Sequence, residues 1–129
     1  MKLLEVDDLT VDFTTHKGTL YAVRGVDIRL EEGELLGIVG ESGSGKSVTA
    51  HALLNLIPGN GAIPAGSIRY RGDEVLDYDR ESLRRYRGGE VSMIFQEPGS
   101  SFDPIYTVGK AMEETIRAHA PDLLPEVVR

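Results

Sequence analysis

One eight-residue segment constrains this chain more than any other feature. Residues 40–47 read Gly-Glu-Ser-Gly-Ser-Gly-Lys-Ser and match the pattern G-x-x-x-x-G-K-[ST]. Glycines let a backbone curl so that successive N–H groups point inward, and such a concave loop binds anions. A helix that begins at the end of the loop adds the positive potential of its N-terminus. The segment therefore predicts a loop that binds phosphate groups.

The residues on either side of the loop supply the context that this pattern needs. Residues 34–39 form a short apolar run that predicts a buried strand. After the loop, Val48, Ala52 and Leu56 repeat at helical spacing, and this predicts a helix that reaches Ile57. A strand, a loop and a helix in this order are typical of a Walker A loop. A Rossmann dinucleotide loop is a near competitor, but it needs G-x-G-x-x-G, and Val48 stands at the third glycine position.

The loop residues have expected roles toward a nucleoside triphosphate. We expect the ammonium of Lys46 to lie against the β and γ phosphates. We expect the hydroxyl of Ser47 to complete the oxygen shell of a Mg²⁺ ion. The residues predicted to bind ATP from this segment are Gly40, Glu41, Ser42, Gly43, Ser44, Gly45, Lys46, Ser47 and Val48.

Composition argues against several other kinds of function. The 129 residues contain no cysteine, which excludes disulfides and thiolate metal sites, and no apolar run approaches the roughly 20 residues of a membrane span. The net charge is −7, and acidic residues are interleaved with the arginines of residues 80–87, so we predict no nucleic-acid binding. His16, His51 and His119 show no metal-ligand or Ser–His spacing, and we interpret them as surface or helix-packing residues.

The rest of the chain predicts alternating strands and helices. Residues 3–13 and 20–30 alternate between apolar and polar side chains, which indicates an antiparallel strand pair. Next we expect a flexible stretch at 59–66 and a small hairpin from 67–70 and 74–76. A short arginine-rich helix ending at 88–89 and a strand at 90–95 should follow. The last predicted elements are a helix with an apolar stripe from Val108 to His119 behind a Thr107 cap, and a closing apolar run at 123–128.

Taken together, these segments resemble the ATP-binding subunits of ATP-binding cassette (ABC) transporters, most closely those of oligopeptide, dipeptide and nickel importers. The resemblance covers essentially the whole chain. It rests on VRGVDIRLEEGE at 23–34, GIVGESGSGKS at 37–47 and GSIRYRGDEVL at 66–76. The most specific segment is MIFQEPGSSFDPIYTVG at 93–109.

The resemblance implies an α/β fold of the P-loop NTPase type. It would comprise part of a RecA-like core, an N-terminal antiparallel β subdomain and the start of the ABC helical subdomain. The resemblance implies that residues 1–129 form a partial ATP-binding domain of four segments. Residues 1–33 would supply strands of the β subdomain, and residues 34–57 would supply a strand, the Walker A loop and a helix. Residues 58–95 would supply the rest of the β subdomain and a core strand, and residues 96–129 would supply the Q-loop and the start of the helical subdomain.

The same resemblance implies further site residues, cofactors and partners. Gln96 corresponds to the Q-loop glutamine, which contacts Mg²⁺ and the attacking water in this family. Phe13 corresponds to the aromatic residue that stacks on adenine, with Tyr21 as the alternative, and either side chain could instead belong to the core. The implied cofactors are ATP and Mg²⁺. The implied partners are transmembrane permease subunits and a second ATP-binding subunit, which would place the protein in the cytoplasm, peripheral on the inner face of the cell membrane.

The family pattern also contains motifs that this sequence lacks. No LSGGQ-type signature, Walker B strand or switch histidine occurs in the 129 residues, so no catalytic residue can be assigned. We expect the N-terminal portion of a transporter ATPase that energises uptake of peptides or a related small solute, with exposed apolar edges in the isolated chain. The alternative that the chain is a non-catalytic nucleotide-binding remnant, or an inert one, stays open. A P-loop small-molecule kinase is disfavoured, because a long hairpin precedes the loop and a Q-loop segment follows it.

Overall fold

The computed structural model describes residues 1–122, and the closing apolar run at 123–128 lies outside them. The chain divides into two compact units, of which the first is Met1–Asp79 and the second begins at Arg80. The elements in chain order are β1 (Lys2–Thr15), β2 (Gly18–Glu31), α1 (Lys46–Leu53), β3 (Gly61–Tyr70), β4 (Asp73–Glu74), a 3₁₀ turn (Val75–Asp77), α2 (Arg80–Arg85), a π-type turn (Tyr86–Glu90), a second 3₁₀ turn (Pro98–Ser101) and α3 (Val108–His119).

An antiparallel sheet with the order β2-β1-β3-β4 makes up most of the first unit. The pairing of β1 with β2 confirms the predicted strand pair, from Lys2 opposite Glu31 to Thr15 opposite Gly18. The buried side chains of β1 are Val6, Leu9 and Val11, and the three-residue step from Val6 to Leu9 coincides with a register irregularity in the pairing with β2. The core contains Val6, Leu9, Val11, Val23, Ile28, Ile68 and Val75 of the sheet and its flanking turn, together with Ala52 and Leu54 from α1 and its end.

Charged side chains from three neighbouring strands pair across the sheet. Asp7 of β1 accepts hydrogen bonds from Arg29 of β2 and, at 2.5 Å, from Arg69 of β3. Glu5 lies 3.9 Å from the first of these guanidinium groups and 4.0 Å from the second. The hydrogen bond from Arg29, with the positive charge of both arginines, holds the pKa of Asp7 below its usual value. These pairs connect β1 to the strand on each side.

Two strands predicted from apolar runs do not form. Residues 34–39 are an exposed coil in which Leu35 is 97% and Val39 is 94% exposed. Of residues 90–95, only Val91 makes a bridge, with Arg87. A strand requires a neighbouring strand that accepts its backbone hydrogen bonds. No strand in residues 1–122 pairs with either run, so apolar composition alone gives coil here, and the expected exposure of apolar side chains is observed.

The middle of the first unit is more regular than predicted. Residues 59–66 were expected to be flexible, but β3 begins at Gly61 and pairs with β1 along most of its length. The second strand of the small hairpin is shorter than predicted, because the chain enters a 3₁₀ turn at Val75, where the Glu74 side chain accepts a hydrogen bond from the Leu76 N–H. Helix α1 ends at Leu53 rather than at Ile57, and Asn55 has a left-handed φ of 51°.

Between Arg80 and residue 122 the second unit contains two helices and two tight turns. Helix α2 ends at Arg85, and a π-type turn at Tyr86–Glu90 follows it, earlier than the predicted helix end at 88–89. Helix α3 confirms the predicted element, and the Thr107 hydroxyl accepts a hydrogen bond from the Lys110 N–H at 3.3 Å. Within residues 1–122 no helix is long and apolar enough to cross a bilayer.

Candidate functional site: a glycine-rich loop, a helix N-terminus and an aromatic cavity

The loop at residues 40–47 connects the exposed coil to the N-terminus of α1. Gly43 and Gly45 have φ values of +81° and +95°, a region that side chains with a Cβ rarely adopt. A Cβ on Gly45 would also lie 2.7 Å from the carbonyl oxygen of Ala22 in β2. The loop can pass this close to the sheet only because position 45 has no side chain.

Helix α1 presents its N-terminus at the end of this loop. The first turn of any helix leaves N–H groups without intrahelical acceptors. No side chain in the described part of the chain caps this end of α1, and its first turn contains no acidic residue. The amides at the start of α1 and the helix dipole therefore favour an anion at this position, and no carboxylate in that turn competes for them.

Lys46 is folded over the mouth of the loop. Its Nζ donates hydrogen bonds to the carbonyl oxygens of Gly40 at 2.6 Å and Glu41 at 2.7 Å, and to the Ser44 hydroxyl at 3.1 Å. Three oxygen acceptors around one ammonium group are the kind of environment that phosphate oxygens also provide. The arrangement fits a triphosphate, because the charged group already lies on the concave side of the loop.

Ser47 belongs both to the loop and to the wall of a cavity. It is exposed at the start of α1, next to Lys46. Within residues 1–122 no group of three or more His, Cys, Asp or Glu side chains is placed to hold a metal ion. A Mg²⁺ ion at this site would therefore take most of its oxygen ligands from phosphate and water, with the Ser47 hydroxyl as the ligand expected from the loop.

An aromatic cavity of about 190 Å³ adjoins the start of α1. Its lining residues are Phe13, Ser47, Val48, His51, Ile57 and Pro58. The Phe13 ring packs against Gly61 of β3, where an added Cβ would lie 2.8 Å from its Cε1 atom. The ring therefore stands beside α1, the helix that begins at Lys46.

Tyr21, the alternative aromatic residue, lies elsewhere. It pairs with Asp12 across the sheet, whereas Phe13 pairs with Leu20, so the two aromatic side chains lie on opposite faces. Tyr21 is 53% exposed, and the Arg24 guanidinium lies 5.0 Å from its ring centroid. Of the two candidates, Phe13 is the one that the structure brings next to Ser47 and Val48.

Gln96 belongs to the second unit. It occupies an exposed bend between the bridge at Val91 and the 3₁₀ turn at Pro98–Ser101. Its assignment to Mg²⁺ rests on the sequence resemblance and stays a prediction.

Two features of the site were not found from the sequence. His51, interpreted as a surface or packing residue, lines the aromatic cavity and donates from Nδ1 to the Ser47 carbonyl oxygen at 2.6 Å. Its position four residues after Ser47, one helical turn, was the available signal. The second feature is a groove of about 540 Å³ that runs from Ile28 of β2 past Leu36 and Ile38 to Lys46. It exists because the run at 34–39 is a coil.

The comparisons with known proteins agree with the fold and the loop. The family model for the ABC transporter domain matches residues 23–127. This chain therefore belongs to the ABC transporter family. The family has the α/β fold of P-loop NTPases, and the sheet and helices described above form part of that fold.

Individual relatives are ATP-binding proteins of peptide transporters. The chain is 46% identical over 118 residues to the dipeptide transport ATP-binding protein DppD of Lactococcus lactis, covering 92% of this chain and 34% of that protein. It is 44% identical over 119 residues to the oligopeptide transport ATP-binding protein OppD of Bacillus subtilis, covering 92% and 33%. For OppD of Mycobacterium tuberculosis the identity is 44%, with coverage of 92% and 19%. The chain thus spans about a third of the length of the first two relatives and about a fifth of the last.

Proposed function

We propose that this chain forms the phosphate-binding part of the ATP-binding subunit of an ABC importer. The observation that carries the proposal is the Walker A loop, in which Lys46 Nζ lies on the concave side against the carbonyl oxygens of Gly40 and Glu41. When a triphosphate binds, the ammonium can exchange these carbonyl oxygens for β and γ phosphate oxygens of higher negative charge. The amides of residues 43–48 then bind the rest of the phosphate chain.

The proposed ATP site extends from the loop to the aromatic cavity. Val48 and Phe13 share the cavity with Ser47, so a nucleotide whose phosphates lie on the loop has its base directed toward the Phe13 ring. We assign Ser47 and Gln96 to the Mg²⁺ ion, which supplies charge neutralisation at the β and γ phosphates when it is bound. Gly40, Glu41, Ser42, Gly43, Ser44 and Gly45 supply the loop backbone.

The proposed role in the cell follows from the relatives. Those with 44–46% identity are named as dipeptide and oligopeptide transport ATP-binding proteins, which supports uptake of peptides or a related small solute as the process that ATP binding and hydrolysis energise. Under this proposal the partners are transmembrane permease subunits and a second ATP-binding subunit, and the protein lies in the cytoplasm, peripheral on the inner face of the membrane. We assign no catalytic residue within this chain.

Nucleotide titration tests the proposed site. A fluorescent ATP analogue labelled on the ribose is titrated with Mg²⁺ into the wild-type chain, Lys46→Ala and a control, Lys17→Ala, which removes an exposed lysine at the hairpin turn. Loss of a charge-assisted hydrogen bond is worth about 1.5–3 kcal/mol, so Lys46→Ala should weaken binding at least about tenfold. Equal affinity in all three proteins would contradict the proposal.

Phosphate release in the same samples tests the activity. Because no catalytic residue is assigned in this chain, we expect no turnover above the Lys46→Ala background. Turnover in the wild-type chain alone would show that the residues present suffice for hydrolysis. Absence of nucleotide binding in the wild-type chain would favour an inert remnant.

A further inference from the structure

Thr49, in the first turn of α1, is a buried polar side chain to which the proposed function assigns no role. It lies four residues after Gly45 and is 5% exposed. Burial of a hydroxyl group costs free energy unless the group makes a hydrogen bond. The Thr49 hydroxyl donates to the carbonyl oxygen of Gly45 at 2.8 Å, so its partner is a residue of the Walker A loop.

Two donors from Thr49 meet on this one carbonyl oxygen. The Thr49 N–H donates to it at 2.9 Å, as the first hydrogen bond of the helix, and the hydroxyl adds a second. The residue that precedes a helix often caps it with its own side chain, as serine and aspartate do. Gly45 precedes α1 and has no side chain that could do so. Thr49 therefore provides the side-chain hydrogen bond at this helix start.

The carbonyl oxygen of Gly45 and the N–H of Lys46 belong to the same peptide group. This peptide group is planar and trans, so the two bonds point in opposite directions. Because the Gly45 oxygen is directed along α1 toward Thr49, the Lys46 N–H is directed out of the N-terminal end of the helix. Like the other amides of the first turn, this N–H has no acceptor within the helix.

A glycine next to this peptide group makes its orientation easy to change. Gly45 has a φ of 95° and a ψ of 6°, the left-handed conformation, and glycine adopts positive and negative φ about equally readily. A hydrogen bond that exists in only one orientation raises the population of that orientation. The affinity for a ligand falls when the orientation that binds it is only partly populated.

We propose that Thr49 is a positioning residue for the phosphate chain of the bound nucleotide. Its hydroxyl holds the peptide group between Gly45 and Lys46 so that the Lys46 N–H faces the phosphates. The inference rests on the proposed function, because that function places the phosphates at the N-terminus of α1. Thr49 acts through the peptide group and not on the base, so its effect is the same for every ligand that carries the triphosphate.

The test compares side chains at position 49 that differ in the hydroxyl group. Thr49→Val has the shape of threonine without the hydroxyl, and Thr49→Ala lacks the hydroxyl that Thr49→Ser retains. Thr115→Val is the matched control, because the Thr115 hydroxyl also donates to the carbonyl oxygen four residues earlier, that of Ala111 at 3.0 Å, but in α3 of the second unit. ATP with Mg²⁺ and inorganic triphosphate each compete with a ribose-labelled fluorescent ATP analogue, and urea midpoints report stability.

Each variant without the hydroxyl should bind both ligands about threefold to tenfold more weakly than its counterpart with the hydroxyl. The counterpart of Thr49→Val is the wild-type chain, and that of Thr49→Ala is Thr49→Ser. This factor corresponds to one neutral hydrogen bond. Thr115→Val should bind both ligands as the wild-type chain does. A role in packing alone would lower the urea midpoints of Thr49→Ser and Thr49→Ala but leave their affinities equal.

Equal affinities within both pairs, with binding still weakened in Lys46→Ala, would overturn the inference and leave the phosphate site standing. Weaker binding of ATP but not of inorganic triphosphate would assign the effect to the base, and this would also overturn the inference. Should Thr49→Val fail to fold, the comparison of Thr49→Ala with Thr49→Ser decides the question. Absence of ATP binding to the wild-type chain would overturn both the inference and the proposed function.

Discussion

The close passage of the Walker A loop over the sheet predicts unequal effects of two similar substitutions. Gly43→Ala and Gly45→Ala each place a Cβ at a residue with a positive φ, of +81° and +95° respectively. That backbone strain costs about 1–2 kcal/mol at either position. The Cβ at position 43 meets nothing within 4 Å, but the Cβ at position 45 would lie 2.7 Å from the Ala22 carbonyl oxygen.

The close contact with the Ala22 carbonyl oxygen destabilises Gly45→Ala but not Gly43→Ala. Ala22 lies at a register irregularity of β2, but its neighbours Tyr21 and Val23 are each paired with β1, so its carbonyl group cannot move away freely. Insertion of a methyl group into a packed region costs about 1–3 kcal/mol. We therefore expect Gly45→Ala to lower the free energy of unfolding by about 2–5 kcal/mol and Gly43→Ala by about 1–2 kcal/mol.

Urea unfolding followed by far-ultraviolet circular dichroism measures this difference. Both variants and the wild-type chain are compared at one pH and one protein concentration, with the midpoint and the slope fitted separately. Equal losses at the two positions would refute the claim that the loop is held against β2 at residue 45.

Three further predictions follow from other contacts in the first unit. Asp7→Asn should remove part of the loss of folding stability at low pH. Because Arg29 lowers the pKa of Asp7, the ionised carboxylate stabilises the folded state above the usual pKa of 3.8. This stabilisation is lost as the pH falls through the lowered pKa. The difference in urea midpoint between wild type and variant should thus be largest near neutral pH and should shrink below pH 3.8, and a constant difference would contradict this. Gly61→Ala should weaken the binding of ATP more than that of inorganic triphosphate in competition assays. The new Cβ would clash with Ile57 Cγ2, would lie 2.8 Å from Phe13 Cε1 and would displace these two cavity residues, and equal weakening would count against this reasoning. Leu35→Asp should reduce self-association measured by light scattering, because the Leu35 side chain is 97% exposed. The free energy of unfolding should change by no more than about 0.5 kcal/mol. Unchanged scattering would argue against self-association through the apolar surface at Leu35.

The sequence predicted the elements whose partners lie nearby in the chain. The hairpin of β1 and β2 and the capped helix α3 follow from alternation, helical spacing and a Thr107 cap. The glycine-rich loop was recognisable because its chemistry depends on a fixed local spacing. All the residues that carry a signal of this kind lie within one or two helical turns or within one pair of neighbouring strands.

The failures arose where a segment depends on distant neighbours. Residues 34–39 have the apolar composition of a buried strand, but no strand in the described residues supplies the ladder that would make them one. Residues 59–66 look flexible because of their glycines, yet β1 offers an edge and β3 forms from Gly61 onward. The place of His51 in the cavity lining was missed for a related reason, since the cavity forms where Phe13 of β1 approaches α1.

The central claim is that the loop at residues 40–47 binds the phosphate chain of ATP, and calorimetric titration tests it most directly. The wild-type chain is titrated in separate experiments with ATP in the presence of Mg²⁺ and with adenosine, which has the same base and ribose but no phosphate. We expect heat from a saturable site with ATP and at least about a hundredfold weaker binding of adenosine, because the loop amides and Lys46 contribute several charge-assisted hydrogen bonds. Comparable affinities for the two compounds would contradict the assignment of this loop as the main binding element.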